Sequence, residues 1–441
     1  MHLKFKTAVL FVALVSQGGF AHAQSLRDSV LFALNHNPAI EGARDSKDAA
    51  KHGRDAEFSN YYPEISANAS VGRVYQDNST SRGLVVERGA AYSGYGEGNV
   101  AVRQMLFDGL ETQNRVDAAD ARLESKTYNL IKTESSIVFN VVKNYLEIMR
   151  LRSALKLLSK QSKSIDDYES RIVTMVKEGV ADEAELQQAR DVSMVVDSIV
   201  ADYEGKLLAA RAVYYEATGQ APPKIQILPP SVSEYINDNI VDTVEMARVN
   251  HPALMAVRMD SNAARHDMKA EHGKMYPDVS GELSYYESDK DDVIGGENKD
   301  ARALVKMNWS FSTGGREFSE FRKKQSEHDA ALRKAQDAER QVERMIYESY
   351  AKYQTLERKL KLSAERVELN EKLVSTYKTQ FEGSRIKLLS VMRAESQLFK
   401  AKLDYSDNLY NILTAQYGIL ASVGTLKNIV LSVPDDEGNV Q

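Results

Sequence analysis

Six of the eight histidines, His36, His52, His251, His266, His272 and His328, lie beyond the first 23 residues and are the side chains best suited to hold a metal or carry a proton, and their spacing argues against both. Two imidazoles grip one cation from a helix when they stand three or four residues apart on one face. The nearest pair, His266 and His272, is six apart. There is no cysteine, so thiolate ligands and disulfides are absent, and packing and assembly must hold the fold. The stretch "GYGEGN" (94–99) has the composition of a phosphate-cradling loop. Such loops join a strand to a helix, whereas this one precedes a strand pattern, so it reads as the end of an exterior loop. No nucleophile–base or metal arrangement emerges, and the expectation is a chain that is not an enzyme, with no catalytic residue, cofactor or metal.

The elements that could position a different kind of site come next. Lys4 and Lys6 precede the apolar run "TAVLFVALVS", and small residues end at Ala21-His22-Ala23, which predicts a secretory signal over 1–23 with cleavage before Gln24. Its removal takes the net charge from −6 to −8, because Lys4 and Lys6 go with it. Charges of both signs are interspersed without a basic tract, which excludes nucleic acid as an expected partner. Beyond the signal no apolar stretch approaches 18 residues, so any membrane crossing must be a closed β-barrel.

The chain repeats itself. "NHNPAI" (35–40) answers "VNHPAL" (249–254), and "NYYPEISANAS" (60–70) answers "KMYPDVSGELS" (274–284), each 214 positions on. Pro38 and Pro252 stand where a helix starts, behind Asn37 and His251, and His is the weaker cap. Pro63 and Pro277 mark helix–strand breaks. Later, "VKEGVADEAELQQAR" (176–190) answers "FEGSRIKLLSVMRAES" (381–396), with Gly179 and Gly383 as hairpin-tip turns 204 apart, and "EATGQ" (216–220) answers "ASVGT" (421–425).

Between these marks the period is two. Ala303, Val305, Met307, Trp309 and Phe311 alternate with Arg302, Leu304, Lys306, Asn308 and Ser310; Val279, Gly281, Leu283 and Tyr285 alternate with Ser280, Glu282 and Ser284. In the first copy Ile65, Ala67, Ala69 and Val71 alternate with Ser66, Asn68, Ser70 and Gly72, and 97–107 is a weaker fourth strand. Four strands of about ten residues suit a bilayer crossing, and equally two hairpins on a soluble core. Tyr61, Tyr62, Tyr276, Trp309 and Phe311 at the strand ends fit an interfacial girdle or a hairpin core.

The helical stretches shift the balance. From Leu110 to Lys177 and from Arg316 to Glu382 there is no proline. A rod of that length spans roughly 100 Å at 1.5 Å per residue, too long for one globular core. Heptad seams run through Val141, Ile148 and Leu155, with Leu151, Leu158, Ile165 and Ile172 between them. The second copy has Ile346, Tyr353, Leu360, Val367, Val374 and Phe381, beside a mixed seam of Ser349, Leu356, Ser363, Asn370 and Tyr377. One chain thus supplies two helical hairpins and four strands. The smallest membrane barrel needs about eight strands, so two or three copies must assemble.

From Ser25 to Val430 the chain resembles the TolC-type outer-membrane efflux and secretion proteins. The resemblance rests on "ALNHNPAI" with "ARVNHPAL", "YYPEISA" with "MYPDVSG", "MLFDG" with "FSTGG", and the tips "EGVADEAELQQAR" and "EGSRIKLLSVMRAESQL". It implies an α+β fold: a duplicated unit of long antiparallel helical hairpin plus β-hairpin, trimerised into an α-helical barrel joined to a 12-stranded transmembrane β-barrel. Repeat one is expected over 24–230 (strands 64–76 and 96–107, helical hairpin 109–218). Repeat two is expected over 231–430 (strands 278–288 and 301–312, helical hairpin 315–424), and a flexible tail over 431–441.

The resemblance also implies a homotrimer in the outer membrane, its helices in the periplasm of a Gram-negative bacterium. Its partners would be membrane lipid, a periplasmic adaptor (membrane fusion) protein, and an inner-membrane ABC exporter or proton-driven pump. A periplasmic lock would join Arg385 to Glu185, with Asp182 and Glu183 as nearby acids, or leave an ordinary solvated pair. Where family members often carry pore-entrance Asp residues, this chain has Leu389 and Met392, so an apolar constriction is expected. The absence of cysteine leans the reading toward type I protein secretion over drug efflux, with a periplasmic coiled-coil adaptor or scaffold as the alternative of another class.

Overall fold

The computed structural model describes residues 25–76, 91–290, 297–310, 312–383 and 385–433. The signal (1–23), Phe311 and the end of the tail (434–441) lie outside the described residues.

The first copy runs α1 (Leu26–His36), α2 (Pro38–Ser59), β1 (Glu64–Gln76), β2 (Ala91–Phe107), α3 (Glu111–Lys177) and α4 (Glu183–Thr218). The second runs α5 (Ile240–Asn250), α6 (Pro252–Gly273), β3 (Asp278–Lys290), β4 (Glu297–Asn308), α7 (Arg316–Glu382) and α8 (Leu388–Val423), and α9 (Leu426–Ser432) closes the chain. Residues 431–432, expected in the tail, are therefore helical. Both α2 and α6 have 22 residues, α3 and α7 have 67, and α4 and α8 have 36. The offset is 214 from Leu26 to Ile240 but 205 from Glu111 to Arg316 and from Glu183 to Leu388. The length difference therefore sits between the strands of each β-hairpin, where a loop changes length without disturbing the scaffold.

Each long helix is flanked by two shorter ones. Helices α4 and α2 pack along α3, and α8 and α6 pack along α7. The short ones meet end to end. Asn37 accepts the Ala39 N–H at 2.9 Å, capping α2, while its Nδ2 donates at 2.8 Å to the carbonyl of Ala217 in the last turn of α4. In the second copy Gly424 (φ 87) ends α8 against Pro252, and an added Cβ there would come within 2.9 Å of the proline ring. His251 gives α6 no side-chain cap. The proline echoes at Pro38 and Pro252 are thus the joints of two interrupted rods.

The heptad seam of α3 is the core: Val141, Ile148, Leu151, Leu158, Ile165 and Ile172 are fully buried. Around its middle, α1 and α9 and the ends of α4 and α8 contribute Val30, Tyr214, Tyr417 and Leu426. On α7 the seams are less deeply covered: Ile346, Leu356, Ser363 and Val374 are buried, Tyr353, Leu360 and Val367 are half-buried, and beside the seams Leu362 and Leu369 lie bare. Among the described residues no helix is long and apolar enough to cross a membrane.

Candidate functional sites: the membrane sheet and the hairpin tips

The four strands form one antiparallel meander, β1-β2-β3-β4, with β1 and β4 as free edges. The "GYGEGN" stretch lies inside β2, paired with Asn68–Arg73 on one side, and is not loop as expected. Its glycines look like breakers in isolation, but β2 is a central strand whose register is held from both sides. Similarly β4 spans 297–308, shifted toward its hairpin from the expected 301–312.

Register sorts the side chains. Ile65 pairs with Val102, Ala67 with Val100, Val100 with Tyr285, Val102 with Leu283, Leu283 with Ala303 and Gly281 with Val305, so these residues share one face. The opposite face carries Ser66, Asn68, Asn99, Glu97, Arg103, Glu282, Ser284, Arg302 and Lys306. There Lys306 bonds Glu282 across strands at 2.6 Å, and Ser70 and Tyr286 each donate to Glu97 at 3.0 Å. The apolar face is the bare one, with Val71 91% exposed and Val305 75%, whereas Ser280 and Ser288 on the polar face are buried. A sheet with a bare apolar face and two open edges is a liability in water, and an apolar face opposite a polar one is what a barrel in lipid around a wet lumen requires.

At the other end the two helical hairpins pack together. Ile165 and Ile172 of α3, Leu186, Ala189 and Val196 of α4, and Leu388, Leu389, Val391 and Met392 of α8 form one cluster. Leu389 is 6% exposed and Met392 0%, so within one chain both side chains pack in the hairpin core. The cause is a one-residue difference between tips. Helix α4 starts four residues after Gly179, whereas α8 starts five after Gly383, so counting from the glycines slips the register by one. The residues that match the phase are Ser390, half-buried, and Arg393, exposed. Gly383 itself caps α7 with φ −79, while Gly179 takes the left-handed conformation at φ 73; only the latter is a glycine-type turn.

The expected Arg385–Glu185 pair does not form within the chain. Arg385 is exposed and makes no ion pair among the described residues. Glu185, buried in the first turn of α4, is paired instead with Lys387, which also reaches Asp182 at 3.3 Å. These carboxylates, Glu185 first, hold the Lys387 ammonium above its ordinary range. Glu183 accepts from Gln187 at 3.0 Å on its own helix. One turn further in, Arg393 donates to Gln188 at 2.6 Å. Asp182 and Lys387, like Gln188 and Arg393, are 205 apart, so equivalent positions of the two copies meet at one height. Deeper still, Lys378 pairs with Glu395 at 2.6 Å. Midway up the helices Arg150 joins Glu147 (2.7 Å) and Asp407 (2.6 Å), tying α3 to α8. The 205 spacing of "EATGQ" and "ASVGT", set against the 204 of the glycines, was the signal that placed Lys387 level with Asp182.

Pro63 and Pro277 each stand one residue before a strand, β1 and β3. Among the described residues no cluster of His, Asp and Glu has the makings of a metal site.

Residues 32–220 and 243–425 match the family model described as outer membrane efflux protein. The chain is similar to the outer membrane efflux protein BepC of Brucella suis biovar 1 (strain 1330), with 20% identity over 422 residues covering 95% of this chain and 89% of that protein. Its fold is similar to the outer membrane protein VceC of Vibrio cholerae, with TM-score 0.76, 15% identity, and 90% and 96% of the two chains covered. It is likewise similar to the CmeC outer membrane channel of Campylobacter jejuni, with TM-score 0.79, 13% identity, and 92% and 88% covered.

Proposed function

The chain belongs to the outer membrane efflux protein family, whose members are passive outer-membrane channels with a helical part in the periplasm, and on that premise we propose that three copies build one export duct. The observation that carries the assembly is the sheet with two free edges: three copies bring twelve strands, joining β1 of one to β4 of the next and leaving no edge in lipid. The apolar face then meets lipid and the polar face lines the lumen. Detergent-extracted protein should have the native mass of three chains; a soluble monomer without detergent would overturn the proposal.

The tips are the gate of this duct. Lys387 holds the start of α8 to the start of α4 through Glu185 and Asp182, and Arg385 is left for an acid of a neighbouring copy. Lys387→Ser should raise single-channel conductance in planar bilayers, and Arg385→Ser should raise it additionally in the double variant. Conductance unchanged by both would remove the gate from this site.

Channels of this family work with periplasmic adaptors and inner-membrane pumps. For this chain the reading is type I protein secretion with an ABC exporter, supported by the cysteine-free sequence, in which no lipid can be carried on a cysteine. The similarity to BepC, an outer membrane efflux protein, supports the channel of a drug or small-molecule efflux pump as the second reading. Deletion of the gene separates them: loss of a secreted polypeptide from the medium supports the first, and drug sensitivity with secretion intact supports the second.

A further inference from the structure

Where the sheet meets the helices, a cavity of about 520 Å³ opens between the start of α3, the end of α6 and α7. Its upper wall is Phe107, and a β-bulge determines where that ring lies. Pairing shifts between Met105 and Phe107, which puts Phe107 opposite Val279 and so on the apolar face of the sheet. The cavity is therefore continuous with the surface that meets lipid, and it lies on the periplasmic side. Gly109 and Gly273 let α3 and α6 close beneath it, since a Cβ on Gly273 would come within 2.9 Å of the Gly109 carbonyl.

Two further observations single this place out. Leu110 lines the cavity at φ 67, the only described non-glycine residue in the left-handed region, although the matching residue of the second copy is Gly315 at φ 71. Such a conformation costs a leucine about 1 kcal/mol that a glycine avoids, and strain of this kind is kept where a side chain has a task. At the rim stands Lys269, exposed and with no ion pair among the described residues.

We propose that this cavity is a binding site for a phospholipid of the periplasmic leaflet, its acyl chain against Phe107, Leu110 and Phe321 and its phosphate on Lys269. The proposal rests on the membrane reading of the sheet. The volume falls within the range of about 300–1,000 Å³ usual for ligand pockets, and the pairing of an apolar pocket with a single cation at its mouth matches a lipid and not a soluble anion. The second copy has glycine in place of the leucine wall, so one site per chain is expected.

The sole tryptophan, Trp309, bonds through Nε1 to the Met275 carbonyl, next to Tyr276 of the cavity lining, and serves as reporter. Purified, delipidated protein in detergent is titrated with phosphatidylglycerol brominated in its acyl chains, and tryptophan quenching is recorded. Saturable quenching at one lipid per chain is expected. Lys269→Glu should weaken it about tenfold, the size of one charge-assisted contact. Leu110→Gly should weaken it too while raising the thermal stability, an opposition that a purely structural role for the leucine does not produce. Quenching that never saturates, or that both variants leave unchanged, overturns the site. If instead the protein is a soluble monomer without detergent, the membrane reading itself fails.

Discussion

His251→Asn tests the joint between α8 and α6. In the first copy Asn37 makes two bonds at the corresponding place, one capping α2 and one crossing to α4. His251 makes neither, is buried, and leaves Nδ1 without a partner. Asparagine in its place should accept from Ala253 N–H as Asn37 does from Ala39, a gain of about 1 kcal/mol for the cap. Its amide should also reach the carbonyl of Ser422, the counterpart of Ala217, for about 1 kcal/mol more. The replacement further removes a titration. Burial first, and the nearby Lys132 second, hold the His251 pKa below the ordinary value near 6.5. The unfolded chain takes up this proton more readily than the fold. Stability should therefore fall as pH drops through about 6.5 and level off below the folded value. Amide exchange of the first turn of α6 is the assay, since unfolding of a membrane assembly is rarely reversible. His251→Asn should raise the protection factor of Ala253, its exchange relative to the unstructured rate at the same pH, by about fivefold to thirtyfold for 1–2 kcal/mol, and flatten the loss of that protection between pH 7 and pH 5. Faster exchange, or an unchanged pH slope, would refute the capping argument.

The tip core predicts that Met392→Ala opens a cavity worth about 2–5 kcal/mol, seen as faster local exchange and proteolysis near Val180. Because the chain lacks cysteine, single replacements report accessibility cleanly: a thiol reagent should label Arg393→Cys readily and Leu389→Cys scarcely, and equal labelling would restore a lumen-facing Leu389. On the sheet, Val305→Lys should cost about 2–4 kcal/mol in lipid and block folding into vesicles, whereas Ser284→Lys on the other face should insert normally. Asp407→Ala leaves Arg150, mostly buried, with Glu147 alone, and should destabilise the middle of the helices by about 1–3 kcal/mol, read as lower amide-exchange protection around Arg150.

Much of the fold was legible in the sequence because it repeats. Two copies of one pattern gave each element a second reading: proline after Asn37 and His251, alternation after Pro63 and Pro277, and proline-free runs after Leu110 and Gly315. The sites were less legible because they depend on phase. Glycine is a good marker of a turn but a poor ruler, and with one extra residue at the second tip Leu389 and Met392 pack in the hairpin core of the single chain. Lys387 stands four residues past Gly383, two beyond the arginine that the resemblance singles out, and the one-residue slip does not by itself point to it. The "GYGEGN" stretch misled in another way: strand propensity is a property of neighbours as much as of residues, and β2 has a neighbour on each side.

The joints at Asn37 and Pro252 have a mechanical meaning. Each long rod on one side is continuous, while its companion is two pieces touching end on, joined by a hydrogen bond in one copy and by ring contact in the other. A continuous rod transmits torque along its whole length; an abutted one acts as a swivel bearing. If the proposed gate opens by untwisting of the lower hairpins, that motion can be taken up at these joints, leaving the part seated in the membrane at rest.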